Sequence, residues 1–116
     1  MSELRLIIAG SRAFNNYDSL VNAMEQLNIQ PTTIISGTAR GADRLGERYA
    51  KEHNIKLIRM PADWNTYGKS AGYLRNKAMA ERADMLIALW DGISPGTQHM
   101  INIATAKHLT IHVIKE

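Results

Sequence analysis

Thr32-Thr33-Ile34-Ile35-Ser36-Gly37-Thr38-Ala39-Arg40-Gly41-Ala42-Asp43 is a β-branched run that dissolves into small and polar residues and then enters a helical pattern. Four β-branched residues in succession predict a short strand over 32–35. Leu45, Tyr49 and Ala50 recur at helical spacing downstream and predict a helix over about 42–53 with those side chains inward. The residues between the two elements are the chemically unusual ones. The same punctuation returns three times: Gly10-Ser11-Arg12 after an apolar run at 4–9, Pro61-Ala62-Asp63-Trp64 after 55–60, and Asp91-Gly92-Ile93-Ser94-Pro95-Gly96-Thr97 after 85–90.

Working outward, Leu20, Ala23, Met24 and Leu27 mark one face of a helix with Asp18 as its expected N-cap, broken at Gln30-Pro31. Residues 61–70 read as an irregular stretch, followed by a helix over 71–82 with Leu74 and Ala78 on its apolar face. A last helix over 98–108 leads into a strand at 110–114. The order β-α-β-α-β-α-β-α-β implies a five-stranded parallel sheet with helices on both faces, a three-layer α/β sandwich joined by right-handed crossovers. The expected strand order is 3-2-1-4-5, with residues 1–116 forming one domain. All four special loops then emerge at the carboxyl edge of the sheet, where such folds bind ligands.

Bulk properties narrow the functional classes. The chain has no cysteine, so a disulfide framework, a thiolate metal site and a thiol nucleophile are all excluded. No apolar run approaches the roughly 20 residues that span a bilayer, and Met1-Ser2-Glu3-Leu4-Arg5 lacks the pattern of a signal peptide; a cytoplasmic protein without a membrane partner is expected. A net charge of +3 leans towards anionic ligands, but Lys and Arg are scattered, as on an ordinary solvated surface. The four histidines show no metal-ligand spacing with carboxylates, so neither a metal nor another cofactor is expected.

Familiar nucleotide signatures are missing. Gly68-Lys69-Ser70 matches the end of a Walker A loop, but Asp63 stands where its first glycine belongs. Gly10-Ser11-Arg12 is not G-x-G-x-x-G. Two other loops remain as anion sites. In the first, Gly37 and Gly41 admit positive φ and close ligand approach, with helix amides beyond them pointing at an anion. Ser36, Thr38, Arg40 and Asp43 belong to this loop, Asp43 capping the amides or holding Arg40 or a ribose hydroxyl. In the second, Ser94, Gly96 and Thr97 offer amides and a hydroxyl, with Asp91 and Gly92 contacting a sugar or making a turn. A capped turn with no ligand is the plainer alternative for the first loop. Ser11 and Arg12, next to Gly10, are placed to complete such a pocket, Arg12 by bidentate phosphate contact. Asp63, Trp64, Tyr67, Lys69, Arg75 and Asn76 complete the candidate set. The two aromatics either stack on a base or, for Trp64, plug the end of the core. Arg75 either faces the site or is an exposed helix arginine.

Taken in order, Ile8-Ala9-Gly10-Ser11-Arg12, Ile35 through Asp43, Pro61-Ala62-Asp63-Trp64, Tyr67-Gly68-Lys69, Gly72 with Arg75-Asn76, Trp90-Asp91-Gly92 and Gly96-Thr97 resemble the SLOG superfamily, most closely its YspA-like branch. The resemblance implies a Rossmann-like fold and a pocket for nucleotides or their derivatives. The superfamily includes the LOG phosphoribohydrolases, which cleave the base from nucleoside monophosphates, and DprA, which binds single-stranded DNA. LOG enzymes carry G-T-x-E-E in the phosphate loop and an R-K-x-x-M helix whose Arg assists the chemistry. Arg75 with Met79 is similar to that helix and is the candidate catalytic residue. The phosphate loop departs from the pattern, since Gly96-Thr97 is followed by Gln98-His99-Met100 with no carboxylate. Cleavage through an oxocarbenium-like state needs one, and His99, Asp43, Asp63 or Asp91 would have to substitute. The leading expectation is therefore binding of a small nucleotide-like ligand, as in a sensor. A divergent N-glycosidase or phosphoribohydrolase is the alternative, and single-stranded nucleic acid a less favoured partner. Relatives of this fold commonly self-associate, so a homo-oligomer is expected by analogy.

Overall fold

The computed structural model describes residues 3–115. Five strands, β1 (Arg5–Gly10), β2 (Thr33–Ser36), β3 (Lys56–Arg59), β4 (Met85–Trp90) and β5 (Thr110–Lys115), alternate with helices α1 (Tyr17–Gln26), α2 (Ala42–Glu52), α4 (Ala71–Glu81) and α5 (Pro95–Ala106). A short helix α3 (Trp64–Tyr67) and a 3-10 turn (Gly68–Ser70) precede α4. The strands form one sheet in the order β3-β2-β1-β4-β5, and every pairing is parallel. This is the Rossmann-like arrangement expected from the alternation of apolar runs.

The strand period of two sorts the core into two layers. Leu6 and Ile8 of β1, with Ile87 and Leu89 of β4, face Leu20 and Met24 of α1 and Tyr49 and Ala50 of α2. Ile7 and Ala9, with Leu86 and Ala88, face Met79 and Ala80 of α4 and Met100 and Ala104 of α5. The central strands are buried over their middle residues, which are apolar, whereas β3 and β5 at the edges are only partly buried. Arg5 and Asp84 close the opposite edge: the Arg5 amide donates to Asp84 Oδ2 at 2.9 Å and its guanidinium bonds both carboxylate oxygens. Those bonds hold the Asp84 carboxyl below its ordinary range.

Several local expectations need correction. Asn16, not Asp18, caps α1, accepting from the Ser19 amide at 3.2 Å; Asp18 sits in the first turn, where its charge suits the helix dipole. Leu27 lies just past the end of α1 and is largely exposed. On α4 the buried residues are Ala71, Asn76, Met79 and Ala80, while Leu74 is exposed and Ala78 only half-buried. The presence of a polar Asn on the inner face hides the true stripe from a hydrophobicity reading. Residues 64–70 are helical rather than irregular, because Asp63 caps α3 by accepting from the Thr66 amide at 3.1 Å. Finally, α5 starts at Pro95, three residues earlier than expected, since proline's fixed φ and missing amide suit a first helical position. Gly96 and Thr97 thus lie in the first turn of a helix and not in a loop before it.

Candidate functional site

After β1 the chain crosses to the α1/α2 face, and after β4 to the α4/α5 face. Adjacent parallel strands whose connections depart to opposite faces leave a crevice at their carboxyl ends. A cleft of about 560 Å3 opens there. Gly10, Ser11 and Arg12 from the end of β1, Asp43 from α2, and Trp64, Lys69, Arg75 and Asn76 from the α3–α4 segment line it. Asp91, Ser94, Gly96 and Thr97 from the β4–α5 turn complete that set. Among the candidates chosen from sequence, Ser36, Gly37, Thr38, Arg40, Gly41, Asp63, Tyr67 and Gly92 do not line it.

The β4–α5 turn is held by its own acid. Asp91 Oδ1 accepts from the amides of Ile93 and Ser94 at 2.9 and 2.8 Å, and Oδ2 accepts from the Ser94 hydroxyl at 2.7 Å. These donors pull the Asp91 carboxyl down to about 2. Ser11 ties the turn to β1: its hydroxyl oxygen accepts from the Asp91 amide at 3.0 Å and donates its own hydrogen to Ser94 Oγ at 3.2 Å, the Ser94 hydrogen being used on Asp91. Ser11 is buried, and its carbonyl accepts from the Ala42 amide at the start of α2 at 3.2 Å. Because Ser94 spends its hydroxyl on Asp91, no side chain caps α5, and the first turn of α5 contains no acid. Gly96 and Thr97 of that turn line the cleft, and their amides have no competing carboxylate in their own helix.

The Gly37–Gly41 loop is built differently. Gly41 has φ +72°, and a Cβ there would stand 2.4 Å from the carbonyl oxygens of Ser11 and Arg12. The other residue with positive φ in this loop is Thr38, not Gly37. Gly37 is small for a different reason, since Arg75 packs on it: a Cβ would meet Arg75 Nη1 at 2.7 Å and Asp43 Oδ2 at 2.9 Å. Arg75 Nη1 donates to the Gly37 carbonyl. Asp43 is 5% exposed and accepts from the Ala39 amide at 2.9 Å. Ser36 is likewise engaged, donating to Glu47 at 2.7 Å and accepting from the Thr38 amide. The loop holds a carboxylate and a guanidinium of the protein itself, so its amides do not form the open anion cradle expected from its glycines.

The charges in the cleft follow from this packing. Burial pushes the Asp43 carboxyl up, against the opposing pull of the Ala39 amide and of Arg75 and Arg12. Burial lowers Arg75, with Asp43 opposing and Arg12 assisting that shift. Arg12 and Lys69 are exposed at the rim. Trp64, 53% exposed, lines the cleft and does not plug the core. Asp63, as the α3 cap, and Tyr67, which is exposed, stand outside.

Sequence reasoning missed Tyr73, Met100 and Ala13 as lining residues. Tyr73 is 55% exposed and meets the His99 ring edge-on, with centroids 4.3 Å apart. Its signal was its place one turn after Lys69 and one turn before Asn76. Among the described residues, no group of three His, Asp or Glu side chains is arranged to hold a metal ion. No described helix is long and apolar enough to cross a membrane.

Comparison with known proteins agrees with this architecture. DNA processing protein A (DprA) from Streptococcus pneumoniae superposes with a TM-score of 0.76 over 98% of this chain at 17% identity. The chain spans 50% of the length of that DprA chain, and at this identity the likeness is one of fold. The gene 61 protein of Mycobacterium phage D29 is 34% identical over 109 residues, covering 86% of this chain and 87% of the phage protein. The model of the YspA, cpYpsA-related SLOG family matches residues 4–67, from the first strand through Asp43 and Trp64 to the end of α3. On that match, which covers more than half of the chain, the chain belongs to the YspA, cpYpsA-related SLOG family.

Proposed function

We propose that the cleft between the carboxyl ends of β1 and β4 binds a nucleotide or nucleotide derivative. Family membership and the DprA-like fold support a nucleotide- or nucleic-acid-related role. One observation carries the finer reading: the uncapped first turn of α5 opens into the cleft that Arg12 and Lys69 share, with Trp64 and Tyr73 exposed on the same cleft. Phosphate is assigned to the Gly96 and Thr97 amides with Arg12 adding charge. The base is assigned to the aromatic rings, which offer a π face at modest entropic cost. The size of about 560 Å3 lies in the ordinary range of small-molecule sites. Homo-oligomerisation belongs to this proposal by analogy with relatives, and the exposed Leu74 on α4 belongs to the surface that self-association would cover.

A melting-temperature screen against nucleoside mono-, di- and triphosphates, ADP-ribose, NAD and cyclic nucleotides tests the reading. A ligand specific for the folded state adds about 2.7 kcal/mol at a hundredfold excess over its Kd. No shift across the panel would overturn small-nucleotide binding. A salt-sensitive shift with oligodeoxythymidylate alone would replace it with single-strand binding.

One observation favours catalysis as a second reading. Of the three acids able to replace the missing LOG carboxylate, Asp63 stands outside the cleft and Asp91 has both oxygens engaged by Ile93 and Ser94, whereas Asp43, bonded through Oδ2 to the Ala39 amide, lines the cleft beside Arg75 with its carboxyl raised by burial. A cleft carboxyl whose proton affinity is raised by burial is a candidate acid or base. Release of free base from AMP, abolished in both Asp43→Asn and Arg75→Ala, would establish this reading; an intact AMP pool after prolonged incubation would remove it.

A further inference from the structure

Asn76 is a polar side chain in the seam between α4 and α5, 7% exposed, and both ends of its amide are engaged. Oδ1 accepts from Arg75 Nε at 3.1 Å. Nδ2 lies 3.4 Å from the Gly96 carbonyl oxygen and 3.2 Å from His99 Nδ1. Chemistry decides which end of the amide is which, because a guanidinium only donates and a backbone carbonyl only accepts. Two independent partners thus fix the amide with its nitrogen towards α5. The second amide hydrogen then points at His99 Nδ1, which must accept it. An imidazole that accepts at Nδ1 carries its proton on Nε2 and is neutral.

The groups facing His99 leave this assignment unopposed. From α4 they are the Tyr73 ring, edge-on at 63°, and Asn76 with Arg75 behind it. Along α5 no other charged or titratable residue occurs between Pro95 and Ile103. Burial lowers the His99 pKa, in keeping with a ring held neutral.

We propose that Asn76 is a positioning residue of the cleft: it ties the Arg75 guanidinium to the first turn of α5 and, through the same amide, holds His99 as the neutral Nε2–H tautomer. A proton on Nδ1 would set donor against donor. Asn76 cannot turn round to relieve this without losing Arg75 and Gly96 together, so His99 is the group that leaves the seam. The junction between the Arg75 side of the cleft and its α5 side is therefore tightest above the His99 titration and looser below it. The importance of that junction for ligand affinity rests on the proposed function, whereas the hydrogen-bond assignment does not.

Long-range proton–nitrogen NMR spectra of the ligand-free, full-length protein test the assignment, with the His99 signals identified by their loss in His99→Gln. The expected result is an unprotonated Nδ1 and a protonated Nε2 at neutral pH, with a midpoint below the ordinary histidine range. In Asn76→Asp the carboxylate still accepts from Arg75 but presents a negative charge to His99 and no donor. The proton affinity of His99 should then rise about tenfold or more. A proton on Nδ1 in the wild-type protein, or an unchanged midpoint in Asn76→Asp, would overturn the proposal. If that variant does not fold, the wild-type tautomer decides alone. Neither readout uses a ligand, so a cleft that binds no nucleotide would overturn the functional reading and leave this one standing.

Discussion

The loop after β2 and the turn after β4 look alike as sequence and differ as objects. Each brings small and hydroxyl residues to the start of a helix, Gly37-Thr38-Ala39-Arg40-Gly41 just before α2 and Ser94-Pro95-Gly96-Thr97 at the cap and first turn of α5. The first is filled by the protein: Arg75 lies on Gly37, Asp43 takes the Ala39 amide, and the Ala42 amide is spent on the Ser11 carbonyl. The second is braced from behind by Asp91 and Ser11 and remains open in front, where a Cβ on Gly96 would meet nothing within 4 Å. A glycine-rich run therefore says that something approaches the backbone closely. It does not say whether that thing is a ligand or a neighbouring part of the chain.

The contrast breaks first, and hardest, at Gly41. Gly41→Val adds left-handed backbone strain to a clash with two backbone carbonyls that cannot move aside. A loss on the order of 3 kcal/mol is expected, seen as a fall in Tm of roughly ten degrees without any ligand present. Gly37→Val should follow with about 1–3 kcal/mol, because the obstacle there is the end of a flexible arginine and a carboxylate. If Gly41→Val melted like the wild type, the claim that this loop is filled by its own chain would fail.

Gly96→Val sharpens the opposite half of the comparison. The side chain projects into open space, so stability should stay within about 1 kcal/mol of the parent. It would nevertheless stand between the α5 amides and a phosphate, and the AMP concentration required for a given rise in Tm is expected to increase at least tenfold. Unchanged AMP affinity would move the phosphate away from α5.

How far all this could be read beforehand depends on what kind of information a residue carries. The sheet was legible because strand burial is written as contiguous apolar runs: β4 was read to the residue, and β1 and β2 to within one. The Ser11, Arg12, Asp91, Ser94 and Gly96 side of the cleft was legible because a topology with a switch point places those loops together wherever they fall in sequence. What escaped reading depends on contacts between distant segments. Gly37 is small because of Arg75, 38 residues away. The inner face of α4 was missed because buried Asn76 is paid for by Arg75, Gly96 and His99, three hydrogen-bond partners that no hydrophobic pattern records. The start of α5 was missed for a local reason, since Pro95 was placed in the preceding loop where it is a first helical residue.

Asp91 separates bracing from binding by pH. Its carboxyl is held at about 2 in the folded chain, below the ordinary value of 3.8. The folded state therefore binds this proton less readily than the unfolded one, and the stability Asp91 contributes is present above that ordinary value and lost as pH falls towards 2. Asp91→Asn should lower Tm at pH 7 and flatten the acid limb of the Tm-versus-pH curve over that window, with no comparable change in the limb for Gly96→Val. An unaltered acid limb would show that the turn does not depend on its carboxylate.

The smallest effect belongs to the rim. Trp64 is half exposed and touches little of the core, so Trp64→Ala should leave Tm almost unchanged. If its ring covers a base, the loss is that of one aromatic contact, about 0.5–1.5 kcal/mol, or roughly two- to tenfold in the Kd for AMP at constant phosphate affinity. Ribose 5-phosphate supplies the control, since it keeps the phosphate and lacks the base. Trp64→Ala should weaken AMP and spare ribose 5-phosphate, while Gly96→Val should weaken both. Equal losses for the two ligands in Trp64→Ala would place the indole against the sugar-phosphate and not the base, and with it reverse the assignment of the two ends of the cleft.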